Sequence, residues 1–151
     1  MTSPFRALVV EDEPISREAT ILALQDGGFS CEWARDGAEA VGSLAGSSFD
    51  IVVTDLRMPN RHGFWLAGQL LQKRDRPAIV VLTGVDEPRM AHDLLRRGVD
   101  DYLVKPVGYD MLIGKLKGVI ERRRVQSCRN EMNSAGQLSP QPPSATARRG
   151  S

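Results

Sequence analysis

Short apolar runs alternate along the chain with longer segments in which apolar residues recur at helical spacing. The runs lie near residues 8–10, 30–34, 51–55, 78–82 and 101–104. Most of them are rich in Val, Ile and Leu, which is typical of strands buried on both faces of a parallel sheet. Strands that alternate with helices favour right-handed crossovers and a single parallel sheet. The pattern therefore predicts a doubly wound α/β domain with five strands and five helices.

Local signals indicate where the helices begin. Pro14 suits the first turn of a helix, because its missing N–H has no helical partner there. Asp36, with Glu39 three residues later, is a variant of the capping box at the start of a second helix. The later helices are predicted over about 64–73, from 86–88, and around Leu112, Leu116 and Val119. The apolar residues at helical spacing in the first two helices are Ile15, Ala19, Leu22, Ala23, Ala38, Val41 and Ala45.

The composition of the chain changes near residue 124. Residues 1–120 carry 14 basic and 17 acidic side chains, whereas residues 121–151 carry six basic and two acidic ones. The segment 139–151 has almost no large apolar side chain, so it cannot bury enough surface to offset the entropy of ordering. We therefore predict a folded domain over 1–124 and a basic, Pro/Ser-rich, disordered tail over 125–151. For so short a tail, solvation is favoured over binding to nucleic acid or to a membrane surface.

No segment has the features of a targeting signal or a membrane span. No apolar run approaches the ~20 residues that a bilayer requires. The N-terminus enters a strand without the basic start and long apolar stretch of a secretory signal. We expect a cytoplasmic location, no membrane contact and, in Cys31 and Cys128, two unpaired reduced thiols.

Reactive side chains stand where four of the predicted strands end. Glu11 and Asp12 follow the first strand, Asp55 ends the third, Thr83 follows the fourth and Lys105 the fifth. Because parallel strands end at the same edge of an open sheet, where ligands bind, we expect these side chains to meet there. Three carboxylates suit Mg²⁺, which prefers oxygen ligands and accepts a phosphate among them. The hydroxyl and the ammonium group can neutralise and position phosphoryl oxygens.

Each of these residues also has an ordinary structural explanation. The acidic string 11–13 can be a solvated loop or favourable charge at a helix N-terminus. An Asp after a strand commonly begins a turn, a Thr there can satisfy backbone groups, and a Lys is usually solvated. The conjunction of all four strand ends favours a site that combines a divalent cation with phosphoryl transfer onto Asp55.

The strings around these residues resemble the receiver domain of bacterial two-component response regulators, over about residues 5–123. The matching strings are ValValGluAspGlu (9–13), AlaArgAspGlyAlaGluAla (34–40), AspLeuArgMetProAsnArgHisGly (55–63), LeuThrGly (82–84) and GlyValAspAspTyrLeuValLysPro (98–106). The resemblance implies a flavodoxin-like (CheY-like) fold with strand order 2-1-3-4-5. It also implies a signalling phosphoacceptor that catalyses only its own phosphorylation and dephosphorylation.

The resemblance further implies the roles of the acidic residues. Asp55 matches the aspartate that accepts a phosphoryl group from a sensor histidine kinase or a phosphotransfer protein. Mg²⁺, or Mn²⁺ in its place, is held by Asp12, by Asp55 and by the backbone carbonyl of Arg57, with Glu11 acting through water. Arg57 and Val85 occupy positions that modulate the lifetime of the phosphoryl group in this family, and no cofactor besides the metal ion is implied.

The same resemblance assigns a switch and an output face. Thr83 and Lys105 match the residues that contact the phosphoryl group, and Tyr102 matches the aromatic residue that turns inward when the threonine moves. Output would pass through the fourth helix, fifth strand and fifth helix, which bind a downstream protein or a second copy of the chain. The charged residues expected on this face are Arg89, Arg96, Arg97, Asp100, Asp101, Lys115 and Lys117. For these residues, ordinary solvated surface charge is favoured over charge pairs across a dimer.

Three other interpretations stay open at this point. The chain can be the receiver fragment of a larger regulator whose output domain is absent, since no DNA-binding domain is predicted in it. It can be a magnesium-dependent phosphohydrolase that forms an aspartyl phosphate, although such enzymes commonly have a second Asp where this chain has Arg57. It can also be a non-phosphorylatable interaction domain of the same fold, but that requires the loss of pocket residues, and none is lost.

Overall fold

The computed structural model describes residues 4–56, 63–84 and 88–137, and in it five parallel strands form one sheet. The elements in chain order are β1 (Arg6–Val10), α1 (Pro14–Asp26), β2 (Ser30–Ala34), α2 (Gly37–Gly46), β3 (Ile51–Asp55), α3 (Gly63–Leu71), β4 (Ala78–Thr83), α4 (Pro88–Arg97), β5 (Asp101–Val104) and α5 (Tyr109–Gln137). The strands lie in the order β2-β1-β3-β4-β5. The predicted doubly wound sheet and its strand order are confirmed.

Alternate residues of the central strands pack into two separate cores. Successive side chains of a strand point to opposite faces of the sheet. Leu8 and Val52 belong to the core that includes residues of α2, α3 and α4. Val9 and Val53 belong to the core that includes residues of α1 and α5. Because both faces are covered, the strands β1, β3 and β4 are almost continuously apolar, as the sequence pattern predicted.

Side-chain caps fix the starts of α1 and α2. The Oδ1 atom of Asp36 accepts a hydrogen bond of 2.9 Å from the backbone N–H of Glu39, which confirms the predicted helix start. In α1 the cap is Glu13, whose carboxylate accepts from the backbone N–H of Ser16 at 2.7 Å, and Pro14 is the first helical residue. A cap of this kind satisfies N–H groups that have no partner within the helix.

The predicted apolar faces of α1 and α2 are wrong in register. Ile15 and Leu22 are 80% and 59% exposed, and Leu24 is buried instead. In α2, Ala38 is exposed and Ala40 is buried instead. In α1 the choice lies between large residues that are equally apolar, and in α2 between alanines, which are tolerated on either face of a helix. Helical spacing alone therefore did not determine which stripe packs against the sheet.

The helix α5 continues to Gln137, well beyond the predicted domain boundary at residue 124. Residues 125–137, which the sequence analysis assigned to the tail, belong to this helix, and the rest of the predicted disordered tail lies outside the described residues. The helix contains no Pro, and each added residue contributes one more backbone hydrogen bond without requiring tertiary burial. Contacts between Cα atoms divide the chain into units 1–120 and 121–151, and the boundary at 124 stays a prediction. Neither α5 nor any other helix in the described part of the chain is long and apolar enough to span a membrane.

Candidate functional site

Three carboxylates meet where β1 and β3 end. Val10, the last residue of β1, is in register with Thr54, so Glu11 and Asp55 leave the sheet side by side. Carboxylate oxygens of Glu11, Asp12 and Asp55 lie within 4.8 Å of one another. Glu11 is buried, Asp55 is half-buried and Asp12 is exposed. The structure thus brings together three residues that were singled out from the sequence.

Lys105 places a positive charge in this acidic cluster. Its Nζ atom donates to Asp55 Oδ2 at 2.7 Å and to Glu11 Oε1 at 3.1 Å. Burial alone would lower the pKa of Lys105, but its hydrogen bonds and charge interactions with Asp55 and Glu11 raise that pKa overall. The ammonium group is therefore charged at neutral pH, and two carboxylates share it. A cis peptide bond joins Lys105 to Pro106.

Several donors hold the carboxylate of Glu11 in place. Its Oε1 atom accepts from the Ser16 hydroxyl at 3.2 Å as well as from Lys105, and its Oε2 atom accepts from the Glu13 N–H at 3.3 Å. Burial acts to raise the pKa of Glu11, but Lys105 and these two further donors lower it overall. Glu11 therefore carries a negative charge that the surrounding donors stabilise.

Asp12 is in the opposite electrostatic situation. Its partial burial raises its pKa, and the hydrogen bond and negative charge of Glu11 raise the pKa further. Proximity of like charges disfavours ionisation unless a proton or a cation is taken up. Three carboxylates and one ammonium group leave the cluster with an excess of negative charge, and all of its acidic ligands are oxygens. This donor set fits a hard divalent cation such as Mg²⁺.

The remaining predicted site residues are placed differently. Thr83 ends β4 at the same edge, with its side chain fully buried and its hydroxyl 3.4 Å from the carbonyl oxygen of Gly84. Tyr102 packs outside the acidic cluster, against α4, with its hydroxyl 3.0 Å from His92 Nε2 and the two rings edge to face. Arg57, whose carbonyl was a predicted metal ligand, lies outside the described residues.

Two residues that the sequence analysis did not single out shape this edge of the sheet. Ser16 reaches back from the first turn of α1 to Glu11. A Cβ atom at Gly63 would overlap the carbonyl oxygen of Asp55 and lie 2.9 Å from the Cα atom of Leu56, so a larger residue cannot fit without a shift. In the sequence, Ser16 could have been noticed because it lies three residues after a helix cap. Gly63 could have been noticed because it ends the string 55–63.

The charged residues of the predicted output face are partly paired within the chain. Asp101 forms an ion pair of 3.0 Å with Lys115, which links β5 to α5. Asp100 forms a more deeply buried pair of 2.9 Å with Arg76 and also accepts from a backbone N–H of β4. These charged side chains are therefore engaged within the chain.

Known proteins resemble this sequence over most of its length. The chain matches the family described as response regulator receiver domain over residues 7–117. The response regulator MprA of Mycobacterium sp. (strain KMS) is 36% identical over 119 residues, which cover 79% of this chain and 52% of that protein. MprA of Mycobacterium tuberculosis (strain CDC 1551 / Oshkosh) is 33% identical over 127 residues, which cover 84% and 55%. The chain spans about half the length of the curated relatives it matches.

Solved structures agree with this match. The receiver domain of the Francisella response regulator 1452 is 26% identical, with a TM-score of 0.73 over 79% of this chain and 98% of that one. A response regulator receiver domain protein from Clostridium thermocellum has a TM-score of 0.76 over 81% of this chain and 98% of that one, and at 24% identity it shows the fold alone. The chain belongs to the response regulator receiver domain family, the signalling modules of two-component systems.

Proposed function

We propose that this receiver is a phospho-accepting switch in which Asp55 takes a phosphoryl group from the phosphohistidine of a sensor histidine kinase or a phosphotransfer protein. In that transfer the P–N bond of the donor breaks and a P–O bond forms to a carboxylate oxygen of Asp55. The observation that carries the proposal is the position of Asp55, which lies 2.7 Å from Lys105 Nζ and within 4.8 Å of Glu11 and Asp12. The protein would catalyse only its own phosphorylation and dephosphorylation.

Mg²⁺ is the proposed cofactor, and Mn²⁺ can replace it. Asp12 and Asp55 would each provide an oxygen ligand, the carbonyl of Arg57 a third, and Glu11 would act through water. The all-oxygen donor set and the excess negative charge of the cluster support this assignment. When bound, the cation neutralises charge that builds up on the phosphoryl oxygens.

Lys105 and Thr83 are the proposed contacts to the phosphoryl group. The ammonium group of Lys105 already donates to Asp55, so a small movement would transfer that hydrogen bond to a phosphoryl oxygen. A hydrogen bond to a charged group is worth about 1.5–3 kcal/mol, enough to change a conformational equilibrium roughly 10- to 100-fold. Movement of Thr83 toward the phosphoryl group would let Tyr102 turn inward, and its hydrogen bond to His92 would break.

The proposed output is a change in the face formed by α4, β5 and α5, which would bind a downstream protein or a second copy of the chain. Cross-subunit pairing would require Asp101 and Lys115 to exchange their present partners. Because the matched region is about half of each curated relative, a larger regulator that contains this receiver is a second candidate. A cytoplasmic location stays a prediction.

The test of phosphorylation is uptake from a small phosphodonor. The protein would be incubated with MgCl₂ and acetyl phosphate, and its intact mass measured over time. We expect a gain of one phosphoryl group, and no gain in Asp55→Ala or when EDTA replaces the metal. Asp50→Asn, directly before β3 and at the opposite end of that strand from Asp55, is the matched control and should be phosphorylated like the wild type. Equal uptake by Asp55→Ala would refute the proposal, and steady turnover of unrelated phosphoesters would favour the phosphohydrolase.

A further inference from the structure

We propose that Ser16 is a positioning residue of the cation site: its hydroxyl fixes the carboxylate of Glu11 and so raises the affinity of the acidic cluster for Mg²⁺. The Ser16 Oγ atom donates to Glu11 Oε1 at 3.2 Å. Nothing in the family match assigns a function to this position. The inference rests on the proposed function, because it concerns the same cluster.

The backbone of Ser16 is held in place by α1. Its N–H donates to the Glu13 carboxylate at 2.7 Å, and its carbonyl accepts from the Thr20 hydroxyl at 3.0 Å. These bonds place Ser16 in the first turn of a capped helix, half-buried beside the sheet edge. Its hydroxyl is therefore a donor fixed by the fold, unlike a donor at the end of a long flexible side chain.

The backbone of Glu11 is fixed as well, which leaves its side-chain torsions as the remaining freedom. Its N–H donates to the carbonyl of Ala34 at 3.0 Å, and its carbonyl accepts from the Arg17 guanidinium at 3.2 Å. The carboxylate must stay close to two other acids that repel it. The donors that hold it there are the Glu13 N–H on Oε2 and, on Oε1, Lys105 and Ser16.

Glu11 Oε1 accepts hydrogen bonds from two side chains, Lys105 and Ser16. Of these two donors, only Lys105 also donates to Asp55, with its Nζ atom 2.7 Å from Asp55 Oδ2. In the proposed function Lys105 moves toward the phosphoryl group, and Ser16 then keeps Glu11 beside the metal. Residues that orient metal ligands through a hydrogen bond typically change metal affinity by roughly 10- to 100-fold. Glu11 is proposed to act through water, so the effect of Ser16 should fall at the lower end of that range.

The experiment measures metal binding by the full chain without a phosphodonor. MgCl₂ would be titrated into wild type, Ser16→Ala and Ser16→Thr, and binding followed by calorimetry and by the metal-induced rise in unfolding temperature. We expect Ser16→Ala to raise the Mg²⁺ concentration at half-saturation by about 10-fold. Ser16→Thr, which keeps the hydroxyl, should stay within about 2-fold of the wild type. Ser43→Ala, which removes a hydroxyl from α2, should not change Mg²⁺ binding.

Phosphorylation by acetyl phosphate separates positioning from a general structural defect. At saturating MgCl₂, Ser16→Ala should reach the wild-type maximal rate, with only its Mg²⁺ requirement increased. The inference is overturned if Ser16→Ala reaches half-saturation at the same Mg²⁺ concentration as the wild type, whether or not its maximal rate falls. If Ser16→Ala does not fold, Ser16→Cys carries the same test, since it keeps the shape and weakens the donor. A wild type that takes up no phosphoryl group refutes the proposed function instead.

Discussion

Replacing Asp12 with Asn should stabilise the protein when no divalent cation is present. The carboxylate oxygens of Asp12, Glu11 and Asp55 lie within 4.8 Å of one another. Two unit charges at that separation repel by about 0.9 kcal/mol in water and about 3.5 kcal/mol at an effective dielectric constant of ~20. Because Asp12 is exposed and Lys105 offsets part of the repulsion, the lower value applies. We therefore expect Asp12→Asn to raise the free energy of unfolding by about 0.5–1.5 kcal/mol.

The gain should depend on pH in a defined direction. Burial and the neighbouring Glu11 raise the pKa of Asp12 above its usual value of 3.8. An acid whose pKa is raised in the folded state costs stability once it ionises, so the wild type loses stability as the pH rises through the folded-state pKa. The advantage of Asp12→Asn should therefore be complete at neutral pH and disappear below the usual pKa of Asp.

Urea unfolding at low ionic strength, with EDTA and then with MgCl₂, measures both effects. Added NaCl should reduce the gain, because salt screens exposed charges. Added MgCl₂ should stabilise the wild type more than Asp12→Asn, so that the order of stability reverses. Asp75→Asn, which removes an exposed acid outside the cluster, should show neither effect. Two results would contradict the electrostatic argument. One is that Asp12→Asn is no more stable than the wild type in EDTA, and the other is that MgCl₂ stabilises both proteins equally.

Three further substitutions test other parts of the account. Lys105→Met should reduce phosphoryl uptake at least ~10-fold, since a hydrogen bond to a charged group is worth about 1.5–3 kcal/mol. Lys105→Met should also destabilise the protein at pH 7 but little in acid. Lys105 lowers the pKa of Glu11, and a lowered acid pKa contributes stability only above the usual value of 4.5. Urea unfolding at neutral and at acidic pH measures this difference. Gly63→Ala should cost about 1–3 kcal/mol by overlap with the backbone that ends β3, whereas Gly68→Ala, which meets open space in the same helix, should not destabilise the protein. Arg76→Leu should cost about 3 kcal/mol in thermal or urea unfolding, because it removes the cation from a largely buried ion pair of 2.9 Å.

The sheet was predictable because its strands are buried on both faces. That burial requires short, nearly continuous apolar runs, which are visible without any structure. The order of the strands came from the family resemblance, since periodicity does not determine which strands are neighbours. The faces of α1 and α2 could not be predicted, because residues of the same type, Leu22 and Leu24 in α1 and Ala38 and Ala40 in α2, are chemically equivalent and only packing distinguishes them.

The acidic cluster was predictable for a geometric reason. Parallel strands end at one edge, so Glu11, Asp55 and Lys105 had to approach one another despite their separation in sequence. The sequence positions of Ser16 and Gly63 were visible signals, but their contacts were not predictable, because these depend on the path that the chain takes after β1 and into α3. The helical extension of α5 was missed because its residues make no apolar stripe, although nothing in them prevents helix formation.

The most direct test of the central claim is to locate the phosphoryl group on the chain. After incubation with acetyl phosphate and MgCl₂, borohydride would reduce the acyl phosphate to an alcohol, and mass spectrometry of the peptides would identify the altered residue. We expect a single altered site, the aspartate at position 55. Reduction at Glu11, at Asp12 or at an acid outside the cluster would contradict it, as would a protein that borohydride leaves unchanged.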